Sequence, residues 1–156
     1  MYLIKKKKND KRKLDDMPWD EVAYWRKANQ IHKWFVDNIQ DGTDDCKYYL
    51  VKKSKIKELK EICDNILDEV ITEPAKIQNG MEMKDGKWEP IWENGKAIVN
   101  YEMCEKLLPT QDGFFFGGTN YDEYYLEDIE YTSKKLQEIL ETFDFENDNL
   151  YYISSW

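Results

Sequence analysis

The chain has 156 residues and a formal net charge of -9, with 35% charged and 15% aromatic residues. Its length is typical of one domain with one core, and the aromatic content argues against disorder. The negative charge disfavours duplex nucleic acid as a partner of the folded part, because phosphates would be repelled. The chain contains no 18-residue apolar run and three widely spaced cysteines. We therefore expect a soluble protein of the reducing cytoplasm, with no membrane contact.

The N-terminal segment is basic. Residues 1–14 contain seven lysines and arginines against one aspartate, a net charge of +6 that leaves -15 on the other 142 residues. Like charges repel, and residues 4–13 show no apolar periodicity. The sequence predicts that residues 1–16 form a basic arm, with a short strand at most, outside a single domain of residues 17–156.

A first helix is predicted over residues 18–39, from Pro18 near its first turn to Gly42 just past its end. One stripe of residues at helical spacing would form its buried face: Tyr24, Ala28, Ile31, Phe35 and Ile39. Arg26 and Gln30 lie opposite, on a face assigned to solvent. Trp25, Asn29 and His32 lie between these faces, where an indole and two polar side chains would suit a ligand or partner. The alternative is that Asn29 and His32 are boundary residues bonded to neighbouring groups.

Two more long helices follow, over 54–72 and 121–142, each with apolar residues at intervals of three and four. Thr119 with Asp122 resembles a capping box at the start of the later one. A short helix is predicted over 100–108, and strands over 46–52, within 81–99 and at the C-terminus, with turns at Asp85-Gly86 and Asn94-Gly95. The predicted fold is α+β, with three main helices packed on a small, mostly antiparallel sheet.

The candidate site comes from the segment Phe114-Phe115-Phe116, which glycines flank on both sides. Exposing large apolar side chains costs about 1.5–3 kcal/mol each, so this loop should fold back onto the first helix. The contact would gather eight binding residues: Trp25, Arg26, Asn29, His32, Phe115, Thr119, Tyr121 and Asp122. The alternative is a polar seam that only fixes the loop.

Other chemistry has weaker support. Gly117-Gly118-Thr119 before a helix could bind an anion, but the acidic residues that follow already occupy the positive end of the helix dipole. The cysteines and His32 lack the spacing of a zinc site, and no EF-hand loop is present, so we expect no metal and no cofactor. No catalytic residue is assigned. An enzyme that uses His32 with Asp44 or Asp45 stays an alternative.

Several motifs resemble those of a family of small proteins encoded by tailed bacteriophages and prophages: Tyr24-Trp25-Arg26-Lys27-Ala28-Asn29, Asp44-Asp45-Cys46, and residues 107–124 with Gly113-Phe114-Phe115-Phe116-Gly117 and Tyr121-Asp122-Glu123-Tyr124. The resemblance implies a phage source and the cytoplasm of a host bacterium, but no activity. We expect a non-enzymatic accessory protein that binds and occludes a host component, such as a defence protein. The alternatives are a protein that sequesters a small nucleotide signal and a small hydrolase. A closed concave pocket lined by Trp25, Asn29 and His32 would favour the small ligand, whereas a convex acidic surface would favour a protein partner or mimicry of DNA.

Overall fold

The computed structural model describes residues 1–113 and 117–155, which form an α+β fold, so the predicted fold class is confirmed. The described part contains four α-helices and two antiparallel sheets. In chain order the elements are β1 Tyr2–Lys7, β2 Asp20–Tyr24, α1 Asn29–Ile39, β3 Tyr49–Val51, α2 Lys53–Glu69, β4 Thr72–Lys84, β5 Lys87–Ile98, α3 Tyr101–Leu107, α4 Glu123–Thr142 and β6 Asp148–Ile153.

The main sheet has the strand order β2-β1-β6-β3. Strand β1 is therefore interior, paired with β2 on one side and β6 on the other, and Leu3 and Ile4 are buried. Within the segment predicted as a basic arm with a short strand at most, residues 2–7 form this interior strand. Two apolar side chains are enough to anchor the strand, and its lysines find acceptors: Lys5 pairs with Asp20 at 3.0 Å. Charge repulsion therefore does not keep this segment out of the sheet.

The first helix begins later than predicted. Residues 20–24 form the edge strand β2, in which Ala23 is buried and Tyr24 is 39% exposed, so Tyr24 does not belong to the core. The helix starts at Asn29, after Lys27 takes a left-handed backbone conformation with φ 65°. The helical spacing predicts the helix correctly from Ala28 onward. The prediction that the helix also includes Tyr24 is wrong. Within α1, Phe35 stacks on Tyr152 of β6 at 4.1 Å between ring centres.

Helices α2 and α4 pack against each other and share one apolar core with α1 and the main sheet. The helices predicted over 54–72, 100–108 and 121–142 are confirmed, with ends that differ by up to three residues. The start of α4 is different in detail: Asp122, not Thr119, is the capping residue, and its carboxylate accepts from the backbone N–H groups of Tyr124 and Tyr125.

Strands β4 and β5 form a separate two-stranded sheet, so the prediction that 81–99 joins the sheet of 46–52 is wrong. Asp85-Gly86 is the turn, as predicted, with φ of 47° and 79°. Asn94-Gly95 instead lies inside β5. Gly95 is needed there because a Cβ would lie 2.4 Å from the Cδ1 atom of Ile77. Ile77 and Ile98 anchor the base of this hairpin in the protein, and residues 83–88 around its turn are exposed.

Candidate functional site

A polar cleft of about 650 Å³ opens where the start of α1 faces the start of α4. A bulge in β4 and residues Gly117 and Gly118 border the cleft, which is open to solvent. Its side chains are mainly amides, carboxylates and two cations: Arg26, Lys27, Asn29, Gln30, Gln78, Asn79, Asn120, Asp122, Glu127 and Asp128, with Met81, Tyr124 and Tyr125. A volume of this size is typical of small-ligand sites.

The predicted site residues divide into three groups. Arg26, Asn29 and Asp122 line the cleft. Thr119 and Tyr121 line an adjoining groove of about 360 Å³ that also reaches Asp122. Trp25 and His32 are buried in the core and line neither, and Phe115 lies outside the described residues.

Asn29 fixes both flanks of the loop that contains the glycines. Its side-chain amide donates to the carbonyl oxygen of Gly118 at 2.9 Å, and its carbonyl oxygen accepts from the backbone N–H of Gln111 at 2.7 Å. The backbone N–H of Gly117 donates to the carbonyl of Lys27 at 3.3 Å. Since Asn29 is buried and bonded at both ends of its amide, its first role is to hold the wall of the cleft in place.

His32 is a structural residue as well. Its ring is fully buried, with Nδ1 2.6 Å from the hydroxyl of Tyr152 and Nε2 3.0 Å from a carboxylate oxygen of Asp44. Burial is the main cause that lowers the pKa of His32, and the contact with Asp44 only partly opposes it. The contact between His32 and Asp44 exists, but it lies away from the cleft, so it provides no support for the hydrolase alternative.

Two residues of the cleft that the sequence did not suggest are Gln30 and Asp128. Gln30 was assigned to the solvent face of α1, yet it is buried and its amide donates to Asp128 at 3.1 Å. Asp128 lies one turn before Thr132, whose hydroxyl donates to its backbone carbonyl at 2.6 Å and accepts from the indole of Trp25 at 2.8 Å. These bonds join the segment before α1 to α4. No feature of the sequence distinguishes Asp128 from the many other acidic residues in the predicted helices.

Burial raises the pKa of Asp128 to about 6, and the charge of Glu127 adds to the shift, whereas the bond from Gln30 opposes it. Burial likewise raises the pKa of Asp122, against the lowering effect of the backbone N–H groups that it caps. The α4 side of the cleft therefore carries partly desolvated carboxyl groups that favour hydrogen-bond donors.

The α1 side has the opposite character. No side chain caps the N-terminus of α1, and its first turn contains no acidic residue. The N–H groups of this turn have no acceptor within the helix and carry a partial positive charge. Arg26 and Lys27 precede this turn and form no ion pair with any described residue. The cleft is thus positive at α1 and negative at α4, where Asp122 already occupies the helix end next to Gly117-Gly118-Thr119.

In the described ranges, 1–113 and 117–155, no three His, Cys, Asp or Glu side chains are grouped as a metal ion would require. None of the helices in these ranges is long and apolar enough to cross a membrane. No protein-family model, curated protein or solved structure matches the chain.

Proposed function

We propose that this protein is a non-enzymatic binding protein that takes up a small nucleotide in the cleft, inside a bacterium infected by the phage that encodes it. Sequestering a host nucleotide signal is the form of host-component binding that a concave polar cleft supports best. The observation that carries the proposal is the N-terminus of α1, which has no side-chain cap and borders the cleft beside Arg26 and Lys27, two cations that form no ion pair with a described residue.

The α1 side of the cleft would bind the phosphate end of the ligand. Free N–H groups at a helix N-terminus and an adjacent arginine are a common combination for binding phosphate, since the N–H groups point at the oxygens and the guanidinium can bind two of them. Arg26 is exposed, so its guanidinium can reach a ligand without breaking an ion pair to any residue in the ranges 1–113 and 117–155.

The α4 side of the cleft would bind the nucleobase end of the ligand. Asp128 can accept from the N–H groups of a nucleobase, and the amides of Asn120 and Gln78 offer both donors and acceptors. A ligand that carries an anionic group at one end and N–H donors at the other matches the opposite charges of the two walls. A purely anionic ligand such as inorganic phosphate would meet the carboxylates of α4 and bind more weakly.

The phage source and the cytoplasmic location rest on the family resemblance. Residues from two distant motifs line the cleft. Arg26 and Asn29 come from the start of α1, and Asp122 and Tyr124 come from the start of α4. Binding of a host protein stays a prediction of the sequence. The cleft itself does not favour it, because a concave site of this size fits a small molecule better than a protein surface.

The experiment is isothermal titration of the full chain with nucleoside monophosphates, cyclic nucleotides and the corresponding nucleosides. We expect at least one phosphorylated ligand to bind at least ten times more tightly than its nucleoside, and Arg26→Ala to remove most of that difference. Lys134→Ala is the matched control, because Lys134 is an exposed cation on α4 that does not line the cleft. Equal affinities for nucleotide and nucleoside, or equal losses in both variants, would refute the proposal.

A further inference from the structure

The β4–β5 hairpin presents one continuous apolar face beyond its anchored base. Met81 pairs with Pro90 and Met83 with Trp88, and directly paired residues lie on the same face of a sheet. Trp92 follows on that face two residues after Pro90. Trp88 is 63% exposed and Trp92 56% exposed, and Met81 and Met83 are also exposed.

The opposite face of the same hairpin is charged. Glu82 pairs with Glu89, and Lys84 pairs with Lys87 next to the turn. The hairpin is therefore amphipathic, like a strand pair whose apolar face packs on a second layer. In the described part of the protein, Met83 and Trp88 near the turn line no pocket of the protein itself, whereas Met81 also borders the cleft and Trp92 also borders the adjoining groove. A two-stranded hairpin is at best marginally stable in water by itself, so an ordered projection of this kind calls for a covering surface.

We propose that a second copy of this chain covers the face, so that two hairpins pack face to face in a symmetric dimer. The distribution of charge supports a second copy of the chain as the partner of this face. The chain carries -9, and two copies repel each other over most of their surface. The projecting segment, residues 79–92, contains three acidic residues and two lysines, a net charge of only -1. Two copies can therefore approach through this segment with little repulsion.

The available area agrees with a weak but specific dimer. Two tryptophans and two methionines, each about half exposed, offer about 500 Å² of apolar surface per copy. The dimer would bury up to about 1,000 Å² in total, an area typical of weak, transient interfaces. With the tip of each hairpin over the base of the other, Trp88 of one copy would lie over Trp92 of the other. That antiparallel arrangement also keeps the two acidic bodies at opposite ends.

The test is sedimentation velocity of the full chain over a concentration series up to about 200 µM, a range that detects dissociation constants of weak dimers. We expect a concentration-dependent rise from the 18.8 kDa monomer toward twice that mass. Trp88→Glu should weaken dimerisation at least tenfold. Ile91→Glu is the matched control: Ile91 is an exposed apolar residue of the same strand on the opposite face, and its replacement should change the dissociation constant less than twofold.

Circular dichroism of both variants would show that the body remains folded. A full chain that stays monomeric at the highest concentration would overturn the proposal. So would a dimer that both variants weaken equally, or a dimer that Trp88→Glu leaves intact. If the monomeric chain instead bound a host protein through Trp88, the face would be an interface for another partner and the proposal would be wrong.

Discussion

Replacing Asp128 with asparagine should stabilise the protein at neutral pH. The carboxyl is largely buried in the wall of the cleft, and its pKa rises from an ordinary 3.8 to about 6. The ionised form is therefore disfavoured in the folded state. Asparagine has nearly the same shape and keeps a carbonyl oxygen that can accept from Gln30, but it has no charge to desolvate.

The size of the effect follows from the pKa difference. A shift of about two units corresponds to about 3 kcal/mol, which we reduce to about 2 kcal/mol because the side chain keeps some solvent contact. A raised pKa in the folded state means that this contribution to stability is fully present below pH 3.8 and is lost as the pH rises through about 6. Asp128→Asn should thus gain little at pH 4 and about 2 kcal/mol at pH 7.5 and above.

Urea unfolding of wild type and variant between pH 4 and pH 8 measures this difference directly, and the melting temperature at pH 7.5 should rise by about 4 to 8 °C. Glu130→Gln serves as the control, since Glu130 is an exposed acid of the same helix and its replacement should change stability by less than about 0.5 kcal/mol. A gain that is absent at pH 7.5, or that is the same at pH 4, would refute the argument from desolvation.

One deletion and three substitutions test the fold around the cleft. Deleting residues 1–7 should abolish cooperative thermal unfolding, because it removes an interior strand; a melting temperature within a few degrees of wild type would contradict the assignment. His32→Ala should cost about 3 kcal/mol in urea unfolding, through a cavity and two lost hydrogen bonds, while nucleotide affinity per folded molecule stays the same. Gly117→Ala should cost about 1–2 kcal/mol because its Cβ would lie 3.0 Å from the carbonyl oxygen of Lys27, whereas Gly118→Ala, with open space around it, should change stability by less than about 0.5 kcal/mol.

The sequence predicted the elements that have strong periodicity. Helices α2 and α4 carry apolar residues at steady helical spacing, and Asp85-Gly86 has the composition of a hairpin turn, so each was found close to its place. The α+β class follows from the same patterns. These features are local, and neighbouring residues alone are enough to specify them.

The errors concern pairing between distant segments. A run of lysines that reads as a solvated arm becomes the interior strand β1 because β2 and β6 lie on both sides of it. Residues 20–24 fit a helix by spacing, yet they pair with β1 as a strand. Neither partner can be recognised from the segment itself, and tertiary pairing overrides a weak local preference.

The candidate site was predicted in outline only. Arg26, Asn29 and Asp122 meet at the cleft, but Trp25 and His32 are core residues. The placement of Trp25 depends on where α1 starts, because a helix that begins at Asn29 orients the preceding residues differently from one that begins at Pro18. His32 lies within α1 in either case, and its burial results from contact with Tyr152 of β6. Gln30 and Asp128 could not be foreseen, since their hydrogen bond joins positions that are 98 residues apart in the chain.

The claim that a nucleotide phosphate binds at the N-terminus of α1 is tested most directly by the backbone amide resonances of Asn29, Gln30 and Ile31 in a ¹H–¹⁵N NMR titration. We predict saturable downfield shifts of these amides with a nucleoside monophosphate, smaller shifts with inorganic phosphate and none with the nucleoside, and we predict that Arg26→Ala weakens the response at least tenfold. Saturable binding whose shifts lie elsewhere, or the absence of any shift at these three amides with every phosphorylated ligand, would contradict the account.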